Sequence, residues 1–254
     1  MRLRSGFVVL GGLALLAPEI SAQQAPAPRY YRVTEWESPP GEMGAFRTSR
    51  FGGLSKMAKD AKAPASAGFR VYTAENRTII ARQVDPKDLF SNANAAIQAA
   101  APDAFRQWQA GLVGGGSTVV RSEIWVEVPE HSYEPANAPE YTGISASDVR
   151  VAAGKGAAAD SARRDFVKFR QKIGYPYRVA AFRVAIGESR MVYVTFYDSR
   201  EKFFGPNALT ALAEKANATA EWQALGARLV GTMGMEWNSK LWGYNAGISY
   251  VPTP

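Results

Sequence analysis

Alternation of period two and a spacing near 3.6 divide the chain into strands and helices in a recurring order. "YYRVTEWE" at 30–37 mixes β-branched and aromatic residues and reads as a strand. Helix-compatible sequence follows "SPPGEMG" and runs to about Lys62. "FRVYTA" from Phe69, a turn at "ENR" and then "TIIARQV" read as a hairpin. After "DPKD" comes an alanine-rich helical stretch, which Pro102 interrupts. Proline is tolerated in a helix's first turn, where the N–H it lacks has no intrahelical partner, so Pro102 opens a second helix. "STVVRSEIWVEV" closes the series as a long strand.

The series then recurs. "DVRVAAG" reads as a strand, and "DSARRDFVKFRQKIG" as a helix with Ala162, Phe166, Phe169 and Ile173 on one face. "YRVAAFRVAIG" and "SRMVYVTFYD" form a second hairpin, whose "GES" places a glycine at the turn. "NALTALAEKANATAEWQALGARLVG" is helical, and "MEWNSKLWGY" ends the series. At an offset of 113, Phe69-Arg70-Val71 aligns with Phe182-Arg183-Val184, Glu75 with Glu188, Arg77 with Arg190, and Asp85 with Asp198. Beyond a four-residue shift the offset is 117, which aligns "LVG" at 112–114 with 229–231 and Ser122-Glu123-Ile124-Trp125 with Ser239-Lys240-Leu241-Trp242. Two long copies of one unit account for this pattern. Their bounds are 30–128 and 142–254, with a Pro-rich linker at 129–141.

Each copy reads β-α-β-β-α-β, the split βαβ of ferredoxin-like units, whose sheet carries helices on one face and leaves the other bare. The pair resembles the dimeric α/β-barrel superfamily in a fused, single-chain form, similar to NIPSNAP-like and antibiotic-biosynthesis-monooxygenase-like proteins. The resemblance covers about 30–251 and rests on element order and duplication. It implies an α+β fold in which tandem ferredoxin-like βαββαβ repeats build a single-chain pseudo-dimeric α/β barrel. It leaves open whether that pseudo-dimer stands as a monomer or joins a homo-oligomer.

Alternation also sorts residues by face. In the last strand of each copy, Arg121, Glu123, Trp125 and Glu127, and Asn238, Lys240, Trp242 and Tyr244, point toward the partner sheet. In the hairpins the same reading sends Phe69, Val71, Phe182 and Val184 to the helices, and Arg70, Tyr72, Arg82, Arg183, Tyr193 and Tyr197 inward. Glu35, Asp148 and Arg150 are inward candidates from the first strands. A lining of that kind either pairs its charges internally or binds a small anionic or aromatic ligand. Candidate ligand-binding residues are therefore Arg70, Tyr72, Arg82, Arg121, Trp125, Arg183, Tyr193, Tyr197, Asn238, Lys240 and Trp242.

Composition narrows the chemistry. The 254 residues are 46% hydrophobic and 21% charged, a globular balance. The absence of cysteine removes disulfides, thiolate metal sites and Cys nucleophiles. "MRLR", the apolar "GFVVLGGLALLA" and "PEISA" read as a signal peptide cut after Ala22, followed by a Pro/Ala tether at 23–29. The expected mature protein is exported, periplasmic or extracellular, and has no integral membrane segment. The formal charge is +7; loss of Arg2, Arg4 and Glu19 with that segment leaves +6. Basic residues form no dense run, so nucleic acid is not an expected partner.

His131 is the only histidine and sits in the linker "PEHSYEP", where it reads as an exposed loop residue. A multi-histidine metal site is therefore excluded, and no metal or cofactor is expected. Haem-binding proteins of the resembled fold commonly use a proximal His in the second copy, and this second copy has none. "GLVGGGS" at 111–117 follows a helix and precedes a strand, the reverse of a phosphate loop, and reads as a helix stop. Carboxylates remain as acid–base candidates. Glu35 and Glu123 lead, since burial would raise their proton affinity. Three functions stay open: a ligand-binding barrel, a cofactor-independent monooxygenase or isomerase using a barrel carboxylate, and a structural protein with a filled barrel.

Overall fold

The computed structural model describes residues 28–112 and 116–252, apart from the side chains of 235–237; the expected signal segment and part of "GLVGGGS" lie outside that range. Strand β1 (Tyr30–Glu37) leads into α1 (Met43–Arg47), a π-helical turn (Thr48–Gly52) and α2 (Gly53–Asp60). The hairpin β2 (Arg70–Ala74) and β3 (Arg77–Val84) follows, then α3 (Ala95–Ala100), α4 (Pro102–Gly111) and β4 (Thr118–Glu127). In the second half, β5 (Gly143–Val151) is followed by α5 (Gly156–Lys172) and the hairpin β6 (Val179–Ile186) and β7 (Met191–Tyr197). Helices α6 (Arg200–Phe204), α7 (Leu209–Lys215) and α8 (Thr219–Val230) and strand β8 (Met233–Tyr244) complete it. Pro102 occupies the first turn of α4, and that helix ends at Gly111, at the head of the glycine run.

All eight strands close into one antiparallel barrel in the order β1-β3-β2-β8-β5-β7-β6-β4. Each half supplies a four-stranded arc, and the arcs join edge to edge through β2–β8 and β4–β6. Closure leaves no sheet edge exposed.

Strand pairing fixes which residues of the two halves correspond. Glu35 lies between Ile79 of β3 and Arg121 of β4, and Asp148 between Val192 of β7 and Asn238 of β8. These trios obey the offsets of 113 and 117 read from the sequence. The second strands do not. Val71 pairs with Ile80 and Ala181 with Tyr193, so β2 and β6 correspond at an offset of 110. The two Phe-Arg-Val triplets are thus three positions out of step, and an odd slip turns every side chain to the other face. Val71 packs under the helices, whereas Phe182 and Val184 line the lumen. Arg183 is exposed, on the outer face.

The expected phase is also reversed in β3 and β7. Ile79 and Val194 point inward, while Arg82 lies over Phe69 on the helix side, Tyr193 meets Arg163 of α5, and Tyr197 joins the helix-packed core. "TIIARQV" and "MVYVTFY" are apolar on both faces, so alternation alone does not choose between them.

Three cores result. Phe51, Leu54, Phe69, Ile97 and Phe105 pack the first half's helices on its sheet; Phe166, Phe169, Tyr177, Leu225 and Leu229 do so in the second. The predicted α5 face, Ala162, Phe166, Phe169 and Ile173, is buried as a unit. The third core fills part of the lumen with Val33, Tyr72, Trp125, Phe182 and Trp242. Each such side chain contributes about 1.5–3 kcal/mol on burial.

The halves also exchange tails. After β4, Ser132 Oγ accepts from Ala181 N at 3.0 Å and Tyr133 bridges to Val179. After β8, Ser249 Oγ accepts from Val71 N at 2.9 Å and Tyr250 bridges to Phe69. The Pro-rich segment between the halves thus packs its Ser132 and Tyr133 on β6. His131 is buried there, at 8% exposure, with Nε2 2.7 Å from Asp160 Oδ1, and is not the exposed loop residue expected. No helix among the described residues is long and apolar enough to cross a membrane.

Candidate functional site

The lumen is divided along its length. Toward the β1 C-terminal end it is closed by ion pairs. Glu35 Oε1 accepts from Arg77 Nη1 at 2.8 Å, and its Oε2 lies 2.6 Å from Arg121 Nε. Arg121 Nη1 reaches Asp148 Oδ2 at 3.2 Å, and Arg190 Nε reaches Asp148 Oδ1 at 3.0 Å. Arg190 also holds Glu123 in a bidentate grip, 2.7 Å to each oxygen, and Trp125 Nε1 donates to Glu123 Oε2 at 2.8 Å. Guanidinium and carboxylate alternate, so each buried charge meets its opposite. Burial works against the Arg190 cation, but its bonds to Glu123 and Asp148 outweigh this and raise its proton affinity.

Above this floor lies a cavity of ≈ 170 Å³. Its walls include Tyr31, Tyr72, Trp125, Tyr141, Phe182 and Phe196. An apolar cavity of about 150 Å³ accommodates a benzene ring, so the space suits one aromatic ring with small substituents. Burial pushes the Tyr72 hydroxyl well above 10, with Tyr141 adding to the effect, so it remains a neutral donor in the wall.

Three arginines stand at the mouth: Arg29, Arg70 and Arg178. Arg29 Nη2 is 2.9 Å from Glu127 Oε1, and Arg178 Nε is 2.7 Å from Glu134 Oε2, with its guanidinium 5.0 Å from the Phe196 ring centre. Arg70 makes no ion pair among the described residues. Burial opposes its charge, and the neighbouring Tyr141, Tyr72 and Tyr244 more than compensate, so its proton affinity is raised. The mouth thus offers a guanidinium that meets tyrosine hydroxyls, Tyr141 foremost, and no carboxylate among the described residues, beside an aromatic chamber. No carboxylate or imidazole borders the chamber among the described residues.

Of the sequence candidates, Arg70, Tyr72 and Trp125 line this chamber. Arg121, Glu35 and Glu123 belong to the floor, where the two carboxylates are committed to arginines. Trp242 is buried in the lumen core at 1% exposure. Register places Lys240 opposite Ala146 and Asn238 opposite Asp148, on the inner face near the floor, and neither borders the cavity. Glu123, which aligns with Lys240 in the sequence, is taken by Arg190. Arg82, Arg183, Tyr193 and Tyr197 lie outside the lumen for the reasons of register given above.

Sequence reasoning missed Arg29, Tyr31, Tyr141, Arg178, Phe196 and the floor arginines Arg77 and Arg190. The last two carried a signal, since they match at the offset of 113 and each sits beside a lumen carboxylate. The barrel offers a haem iron neither an imidazole nor a thiolate. The one imidazole, His131, lies outside the barrel with Nε2 bonded to Asp160, and the chain has no thiolate. No group of three or more His, Cys, Asp or Glu side chains among the described residues is placed to hold a metal ion.

No protein-family profile matches the chain. No curated protein matches it in sequence. Solved structures do match in fold. A provisionally assigned monooxygenase from Lactobacillus acidophilus NCFM superposes with a TM-score of 0.52 at 9% identity, over 89% of this chain and 96% of that one. A second provisionally assigned monooxygenase, from Fusobacterium nucleatum subsp. nucleatum, gives 0.55 at 10% identity over 86% and 91%. A provisionally assigned chlorite dismutase gives 0.50 at 12% identity over 87% and 96%. The chain therefore has the dimeric α+β-barrel fold of these proteins.

Proposed function

We propose that the chain binds a small molecule with an aromatic body and an anionic group, the ring in the barrel chamber and the anion on Arg70. The observation that carries this is a guanidinium with no carboxylate partner among the described residues, at the mouth of an aromatic cavity of ≈ 170 Å³. A guanidinium matches a carboxylate in two parallel hydrogen bonds, and aromatic walls add stacking. Calorimetric titration with benzoate and with neutral benzamide tests it. Benzoate binds more tightly than benzamide, and Arg70→Met weakens benzoate by about tenfold or more, the loss of a charged hydrogen bond worth about 1.5–3 kcal/mol. The amide's affinity changes little. Equal affinity for both compounds, or an Arg70→Met protein that binds benzoate normally, refutes the assignment. Native mass spectrometry of the purified protein then identifies any molecule that co-purifies.

The rival reading, a cofactor-independent monooxygenase or isomerase driven by Glu35 or Glu123, has weaker support. Both carboxylates are held by arginines and neither borders the chamber. A purely structural barrel is disfavoured by the open volume above the floor. The reading extends to three further points. The halves descend from one duplicated unit, supported by the matching registers of three of their four strands, with kinship to NIPSNAP-like proteins. The mature chain is exported after cleavage at Ala22, which N-terminal sequencing of the secreted protein tests. The single-chain barrel needs no partner copy to complete its chamber, and its mass in solution decides between monomer and homo-oligomer.

A further inference from the structure

A second cavity, of ≈ 110 Å³, lies outside the barrel between the start of α5 and strands β5 and β7. Arg163, Tyr193 and His131 line it, with Gly156 from the first turn of α5. Arg163 is 9% exposed, yet it donates no hydrogen bond and meets no carboxylate within 4 Å among the described residues; its one close partner is the Tyr193 ring, 4.1 Å from the guanidinium carbon. His131 is 8% exposed, and its Nδ1 has no hydrogen-bond partner. Asp160 also borders the space, but its oxygens are engaged by His131 and Arg164. Two turns further along α5, Arg170 is likewise buried, at 6% exposure, with its guanidinium carbon 3.9 Å from the Phe166 ring centre and Nε unpartnered. Burial chiefly, with Arg163 adding repulsion, lowers its pKa to about 10.

Two buried, like-charged guanidiniums without a counter-ion are costly. Ring faces offset part of that cost but leave the N–H donors unused. The first turn of α5 adds its own donors: Lys155 provides no side-chain cap there, and the helix dipole favours negative charge at that end.

We propose that this cavity is a binding site for a tetrahedral oxyanion of the phosphate or sulfate class, held by Arg163 and the first turn of α5, and by His131 Nδ1 when the imidazole carries both protons, with Arg170 behind it. The site is separate from the barrel chamber and stands whether or not that chamber binds a ligand.

Inorganic phosphate is the probe, titrated into the purified protein at constant ionic strength with chloride as the reference anion, by calorimetry and by thermal unfolding. The expected result is saturable binding with a rise in Tm that chloride does not give. Arg163→Met weakens phosphate by about tenfold or more, and Arg163→Gln does the same if the first variant folds poorly. The exposed Arg183→Met serves as a control and responds as wild type. Absence of saturable phosphate binding by the wild type overturns the proposal. So does a phosphate response unchanged in both Arg163 variants. A response lost in Arg70→Met but kept in Arg163→Met also overturns it, because the ion would then sit at the barrel mouth.

Discussion

Replacing Arg190 with Met isolates the energetics of the barrel floor. Arg190 and Glu123 are 4% and 5% exposed, and the guanidinium supplies two of the three hydrogen bonds to that carboxylate. In Arg190→Met, Glu123 keeps only Trp125 Nε1, and a charge is left buried beside a methionine. Removing one partner of such a pair costs about 3–5 kcal/mol, because the other stays desolvated and unpaired. Asp148 suffers less, since it is 26% exposed and retains Arg121. For a domain of this size each kcal/mol lowers Tm by about 2–4 °C, so the expected drop is about 6–20 °C.

The pair is completed by Arg190→Met/Glu123→Gln, in which the neutral amide still accepts from Trp125. With no charge left to strand, the double variant recovers more than half of the loss, and a mutant cycle gives a coupling of about 2 kcal/mol or more. Urea unfolding followed by tryptophan fluorescence measures each corner. Arg106→Met is the reference for an exposed pair: Arg106 and Asp103 are 76% and 79% exposed, and its loss costs less than about 0.5 kcal/mol. A cost below about 1 kcal/mol for Arg190→Met, or strict additivity in the double variant, would show that the floor is not a desolvated ion-pair cluster.

Three further outcomes follow from the same structure. Among the described residues Arg82 is buried with no carboxylate partner, only Asn94 at 2.7 Å and the Phe69 ring, and burial with help from Arg32 lowers its pKa to about 10. Arg82→Met should therefore lie within about 1 kcal/mol of wild type or be more stable, and a loss as large as that of Arg190→Met contradicts this. Gly187 turns the second hairpin at φ +129°, and a Cβ there would lie 2.8 Å from Glu123 Cγ. Gly187→Ala is expected to cost about 1–3 kcal/mol; an unchanged Tm means the turn adapts freely. Alkaline stability carries a definite sign. Burial raises Tyr72 well above 10 and Tyr175 to about 12, so above about pH 10 the unfolded chain releases protons that the folded chain keeps. Below pH 10 these groups are protonated in both states and their stabilising contribution is complete; it falls as pH rises from about 10 to 12. Arg82 and Arg170, lowered to about 10, act in the opposite sense over that interval, so the check is a comparison with Tyr175→Phe: a variant whose urea midpoint changes with pH just as the wild type's does excludes the effect.

Legibility differed by element, for physical reasons. In β4, charged residues at 121, 123 and 127 alternate with Val120, Ser122 and Ile124, and the inward set was read correctly because only one face tolerates those charges once paired. The α5 stripe was legible because its opposite face is charged. The hairpins were not, because their strands are apolar on both sides, and the shared Phe-Arg-Val triplet suggested a register that the sheet does not adopt. A better guide was present. "HSYEP" at 131–135 and "ISYVP" at 248–252 repeat Ser-Tyr-x-Pro at the offset of 117, and both serines cap the neighbouring hairpin's backbone. That match alone would have assigned the supposed linker to the fold.

The corrected register also bears on where function resides. At the floor the halves agree in kind: Glu35 with Arg77 corresponds to Asp148 with Arg190. At the chamber they disagree. Arg70 corresponds to Ala180, Tyr72 to Phe182 and Gln83 to Phe196, each pair taken from the strand registers. At these positions one wall therefore carries a guanidinium, a hydroxyl and an amide, while the corresponding positions across from it carry hydrocarbon; Arg178, at the mouth beside Phe196, is paired with Glu134. A barrel that needed only to close would gain nothing from this polarity, since hydrocarbon on both walls packs at least as well. A bound molecule with one polar edge and one apolar face gains from it directly. The asymmetry thus predicts the ligand's orientation as well as its class: the anionic edge toward the β2 wall, and the ring face against Phe182 and Phe196. Phe182→Ala should consequently weaken benzoate and benzamide alike, whereas Arg70→Met separates them. If Phe182→Ala discriminates between the two compounds, the assignment of the walls is wrong.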